Sequence, residues 1–120
     1  MSNKDTFEYH LQKLDHLITP SGETAWSLDQ LDKIMTLART HQRIILGGDV
    51  LTLSGSYTCN NWYFTREANT SHEINVEKSI QMCQAYVASY VQRNGSDCTL
   101  LIVFKGAQGT VCVNPNKKHR

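Results

Sequence analysis

Histidine, cysteine and a Gly-Gly-Asp string are the features of this 120-residue chain that could do chemistry. The histidines stand at positions 10, 16, 41, 72 and 119. A helical zinc site needs two of them four residues apart with a glutamate between, so that three groups share one face. No pair has that spacing, and His10 and His16 are badly placed to share a ligand. Surface histidines are the plainer reading. Cys59, Cys83, Cys98 and Cys112 lack the short spacing of a zinc knuckle and read as free thiols. A nucleophilic cysteine would need a cationic or helix-start environment, which a sequence does not show. No catalytic set, metal site or cofactor is therefore expected.

Gly47-Gly48-Asp49 lacks the later glycine and lysine of a phosphate loop, and strand-forming residues follow it. Its structural reading is a bulge or a close backbone approach, and its functional reading is that Asp49 faces a partner. Asn60-Asn61-Trp62-Tyr63-Phe64 sets rigid aromatics beside amide side chains. Bases could stack on such a strand, but between Gly47 and Thr65 there is no lysine or arginine to hold phosphate. A protein interface suits it better. At period two, Trp62 and Phe64 belong to the core and Tyr63 to the outside. Glu67, Glu73 and Glu77 follow, a solvated face by default and an acidic cluster with Asp49 if the partner is cationic. The candidate partner-binding residues are thus Asp49, Asn60, Asn61, Tyr63, Glu67, Glu73 and Glu77.

The elements that must position these residues follow from periodicity. Phe7, Leu11, Leu14 and Leu17/Ile18 recur at helical steps and predict a first helix from Asp5 to Ile18, stopped by Pro20-Ser21-Gly22. Ser27 and Gln30 read as a capping box, and Leu28, Leu31, Ile34, Met35 and Ala38 as the stripe of a second helix ending near His41. Residues 43–53 and 61–65 read as strands of an antiparallel hairpin whose tip lies between Ser54 and Asn60. Val76, Ile80, Cys83, Val87 and Tyr90/Val91 predict a third helix over 75–93, closed by Asn94-Gly95. Thr99 to Phe104 has no alternation, as in a strand covered on both faces, and Thr110 to Val113 can pair back as a last strand. The order predicts an α+β fold: two N-terminal helices, a mostly antiparallel sheet of about four strands with one pair able to be parallel, and a third helix packed on it. We expect one domain over 1–120, with 114–120 a frayed basic tail.

Composition excludes several classes. Lys plus Arg total 12 and Asp plus Glu 11, so the formal charge is +1, and a protein built to coat nucleic acid or an anionic membrane would be strongly basic. The run Leu100 to Phe104 is far short of a membrane span, and Met1 to Asp5 leads into a polar stretch without the apolar core of an export signal. A cytoplasmic location, with neither nucleic acid nor membrane as partner, is expected; the oligomeric state is left open.

Ile45-Leu46-Gly47-Gly48-Asp49-Val50-Leu51, then Asn61-Trp62-Tyr63-Phe64, a helix with Ser79 and Tyr86-Val87, and the strand Leu100 to Phe104 together resemble the immunity protein 40 family. The resemblance covers residues 43–104 and leaves the N-terminal third outside. It implies a non-enzymatic α+β protein, encoded in bacteria beside a polymorphic or contact-dependent toxin, whose partner is the cognate toxin domain. Occlusion of the toxin's active site or of a surface it requires is the implied action, and a nuclease is the toxin class it points to first. The family's binding residues do not carry over position by position. Two other readings stay open on the residues: a small enzyme or ligand-binding domain with a site near Asp49 and His41 or His72, and a general protein-interaction module.

Overall fold

The computed structural model describes residues 6–106. Helix α1 (Phe7–Gln12) starts at Thr6, whose hydroxyl accepts the Tyr9 N–H, and buries Phe7 and Leu11. It is shorter than the expected Asp5–Ile18 helix. His16–Ile18 is instead strand β1, paired antiparallel with β2 (Thr24–Ser27) across a turn that holds Pro20 and Gly22. Leu14, Leu17 and Ile18 satisfy the helical and the extended period equally over so short a stretch, and pairing with β2 decides between them. The expected capping box does not form. The Ser27 hydroxyl donates to the Asp15 carboxylate and its backbone N–H to the Asp15 carbonyl, which prolongs the β1–β2 pairing, while a 3₁₀ turn (Leu28–Gln30) leads into α2 (Leu31–Thr40). In α2 the expected residues Ile34, Met35 and Ala38 are buried.

Strands β3 (Ile45–Leu51) and β4 (Tyr57–Tyr63) form the expected hairpin, with β4 starting earlier than the aromatic run suggested. Ser71 caps α3 (His72–Asn94) by accepting the Ile74 N–H, so the helix begins three residues before Asn75. Gly95, at φ +92°, ends it and donates to the Val91 carbonyl. Strand β5 (Thr99–Phe104) then enters the middle of a five-stranded sheet of order β1-β2-β5-β3-β4. Every pair is antiparallel, so the parallel pair left open by the sequence does not occur among the described strands. The expected strand over 110–113 and the tail lie outside the described residues.

The helices lie on one face of this sheet. Val50, Trp62, Phe64, Leu100, Ile102 and Phe104 meet Ile34, Met35, Val76, Ile80, Cys83 and Val87 in the main core. Two polar devices fix the helices there. Ser79 accepts the Ile45 N–H and donates to the Val76 carbonyl inside α3, tying that helix to the start of β3. Arg43, almost wholly buried, stacks on Phe7, donates to the Lys105 carbonyl and pairs with Glu8. On the other face Ala25, Leu51 and Leu101 make a smaller cluster, flanked by Leu17 and Val103. The hairpin tip closes over this end: Thr99 donates to the Thr52 carbonyl, and Gly55 lies against Leu17 and Thr19.

Candidate functional site

Residues directly opposite each other in an antiparallel pair project to the same face. Asp49 pairs with Asn61, Gly47 with Tyr63, and Leu51 with Tyr57. Asp49, Asn61, Tyr63 and Tyr57 therefore stand together on the face away from the helices. Gly48 pairs with Trp62 and Val50 with Asn60, on the helix side.

The Gly-Gly pair makes this division possible. A Cβ on Gly48 would sit 2.4 Å from the Leu101 carbonyl oxygen and 2.5 Å from the tip of the Trp62 ring. A Cβ on Gly47 would sit 2.3 Å from the Trp62 carbonyl oxygen. Both glycines thus mark a close approach of backbone and indole, as the sequence allowed, and β3 also carries an irregularity against β5 between Ile45 and Gly47. Trp62 lies over Gly48 and stacks on Tyr86 of α3, ring centroids 5.2 Å apart.

On the open face, Asp49 is half-buried, and its carboxyl is held above the usual carboxylate range. Loss of hydration is the main cause and the neighbouring Glu23 carboxylate adds to it; a hydrogen bond from Asn61 works the other way. No lysine or arginine pairs with Asp49 among the described residues, and none occurs within any of the five strands. Glu23 reaches this face from the turn before β2 and accepts the Tyr57 hydroxyl. That bond, followed by burial and the nearby negative charge, pushes the Tyr57 phenol up. Tyr63, 79% exposed, is the most open large hydrophobic residue among the described residues.

Three of the seven sequence candidates, Asp49, Asn61 and Tyr63, are thus brought together. Asn60 is not with them: it projects to the helix side, where its amide donates to the carbonyl and hydroxyl of Thr58. Glu67, Glu73 and Glu77 belong to the helical layer. Glu67 accepts the Lys78 ammonium, and Glu77 accepts the Arg39 guanidinium of α2, which holds the Glu77 carboxyl below its usual range. Glu73 lies in the first turn of α3, where the helix dipole accounts for it. Glu77, expected near the helix start, is a turn further in. Sequence reasoning missed Glu23 and Tyr57. Their pairing spans the β1–β2 turn and the hairpin, and Tyr57, expected in the hairpin tip, comes opposite Leu51 only because the register slips between Val50 and Leu51.

The contacts of His41 and His72 lie in the helical layer. His41 packs against Phe7 and His10, while His72 contacts the Gln42 carbonyl. Cys59 is exposed and free; Cys83 and Cys98 are free and buried, and burial pushes the Cys83 thiol up to about 12. Cys112 lies outside the described residues. No group of three or more His, Cys, Asp or Glu among the described residues could hold a metal ion. No helix among them is long and apolar enough to cross a membrane.

No curated protein and no solved structure matches the chain. The family model described as Immunity protein 40 matches residues 10–104. That range takes in β1, β2 and α2 as well as the 43–104 stretch on which the resemblance rests. It also contains every residue of the open face. With most of its length matched, the chain belongs to the immunity protein 40 family, the immunity proteins of toxin systems.

Proposed function

We propose that this protein neutralises its cognate toxin domain by binding it through the open face of the sheet around Asp49, Asn61 and Tyr63, covering the toxin's active site or a surface the toxin needs. The observation that carries this reading is electrostatic. Asp49 is partly dehydrated beside a second carboxylate, in strands without lysine or arginine. A cationic surface on the partner would supply the missing counter-charge, and oppositely charged surfaces also speed encounter. A nuclease carries such a surface in order to hold phosphate, which makes a nuclease toxin the best fit. Tyr63 supplies a rigid exposed anchor of the kind that dominates binding energy at interfaces. In this reading the protein acts by shape and charge, with no turnover and no cofactor.

The test uses the toxin domain encoded beside this chain's gene. Co-expression of the two should restore growth, and they should co-purify. Growth arrest despite abundant soluble protein would overturn the reading. Asp49→Arg should abolish both rescue and co-purification without unfolding the protein.

A further inference from the structure

Strand β4 is an edge of the described sheet. Edge strands offer a row of unpaired backbone groups, and proteins blunt them with lysine, proline, bulges or a covering element. Residues 57–63, Tyr-Thr-Cys-Asn-Asn-Trp-Tyr, contain no charge and no proline. The one bulge lies toward the tip: the register slips between Val50 and Leu51, and Cys59 takes φ +66°. Thr58 and Asn60 satisfy that half locally, Thr58 Oγ1 donating to the Val50 carbonyl and accepting the Asn60 N–H. From Asn60 to Tyr63 the pairing with β3 is regular.

Which backbone groups face outward follows from one bond. The Phe64 N–H donates to the Leu46 carbonyl at 2.9 Å. In an antiparallel pair, bonded and non-bonded positions alternate, so Trp62 bonds inward to Gly48 while the N–H and C=O of Asn61 and Tyr63 point away from β3. Nothing in the described chain takes them up. The side chains of these same two residues stand on the acidic open face.

Resting on the toxin-binding reading above, we infer that the β4 edge accepts a strand of the toxin, which adds to the sheet through the backbone groups of Asn61 and Tyr63. Strand addition takes its affinity from main-chain bonds and its specificity from alternate side chains. The added strand carries lysine or arginine on the open-face side. Two strand spacings place its backbone about 10 Å from that of Asp49, within reach of an extended basic side chain, which on its way passes over the Tyr63 ring.

Amide hydrogen exchange on the free protein and on its complex with the toxin domain encoded beside its gene tests this. The Asn61 and Tyr63 amides should exchange fast in the free protein and slow by at least about a hundredfold in the complex, as expected of newly formed ladder bonds. A complex that forms without slowing them overturns strand addition and leaves toxin binding intact; absence of any complex overturns both. Slowing that rises with concentration of the protein alone would assign the edge to a second copy of this chain and overturn the toxin strand. Asn61→Pro provides a second readout, since it removes an N–H that the internal ladder does not use. It should weaken binding about tenfold or more while the urea midpoint moves little. If it unfolds the chain, the exchange result still decides.

Discussion

The two faces of the β3–β4 hairpin are built from alternate residues of the same two strings, yet they carry opposite physics. On the inner face Gly48, Trp62 and, from α3, Tyr86 form a stack with no space for one added carbon. On the outer face Asp49, Asn61 and Tyr63 stand half or fully exposed, with a carboxylate that loses hydration and gains no cation among the described residues. Interiors are packed to crystal density, so the inner residues are answerable to the fold. The outer ones are free of that duty, and in the function proposed above they are the residues that meet the toxin. A Gly-Gly-Asp and an Asn-Trp-Tyr string therefore mix residues that face the packed interior with residues that do not.

That contrast can be broken at either face. The largest effect should come from Trp62→Ala, which empties the ring site between Gly48 and Tyr86 and should lower stability by about 4 kcal/mol, read from urea unfolding. Toxin affinity of the molecules that remain folded should be nearly unchanged; a large loss there would mean that the inner face takes part in binding. Gly48→Ala comes next. Its added methyl meets a backbone carbonyl as well as the indole, and should cost about 2 kcal/mol in the same measurement. A neutral result would show that β3 can shift away from β5.

On the outer face the signs reverse. Tyr63→Ala should leave the unfolding free energy from urea titration within about 0.5 kcal/mol of the parent and weaken toxin binding by about tenfold or more, measured by calorimetry. Unchanged affinity would remove Tyr63 from the contact surface. Asp49→Asn should go further in separating the two properties, weakening toxin binding while slightly raising stability near neutral pH. The folded protein holds the Asp49 proton more tightly than the unfolded chain does, because dehydration and Glu23 raise its pKa. Ionised Asp49 therefore costs stability above that raised pKa, and the cost disappears as pH falls through it toward the ordinary carboxylate value. The difference between parent and variant, at most about 0.5 kcal/mol for a half-buried group screened by solvent, should vanish in acid. A variant less stable than its parent at neutral pH would show that Asp49 is held by attractions instead.

The smallest effect belongs to the helical layer. Charge reversal at Glu67 or Glu77 breaks an exposed ion pair with Lys78 or Arg39. Each should change stability by less than about 1 kcal/mol and leave toxin affinity as it was. Lost affinity from either would extend the contact surface from the sheet to the start of α3.

Long periodic segments were legible from residue types alone. The apolar stripes of α2 and α3 repeat over several turns, so their burial follows from spacing, and the unalternating run from Leu100 to Phe104 marks a strand buried on both sides before its neighbours are known. Period two likewise assigned Trp62 inward and Tyr63 outward, because side chains on a strand have only two directions. The region from His16 to Ser27 was not legible. Strands of three and four residues contain too few positions for a period to show, and a proline-glycine turn serves a helix end and a hairpin equally.

The same limit governs the site. Asp49, Asn61 and Tyr63 could be singled out by type, but nothing local joins them to Glu23 and Tyr57 or parts them from Glu67, Glu73 and Glu77. Strand order and register make both decisions, placing β1–β2 beside β5 and turning the start of α3 to the opposite layer. Spacing along a chain records which residues share a face of one element. Which faces of different elements then meet is settled by the packing that buries the most apolar surface, and that quantity belongs to the whole chain at once.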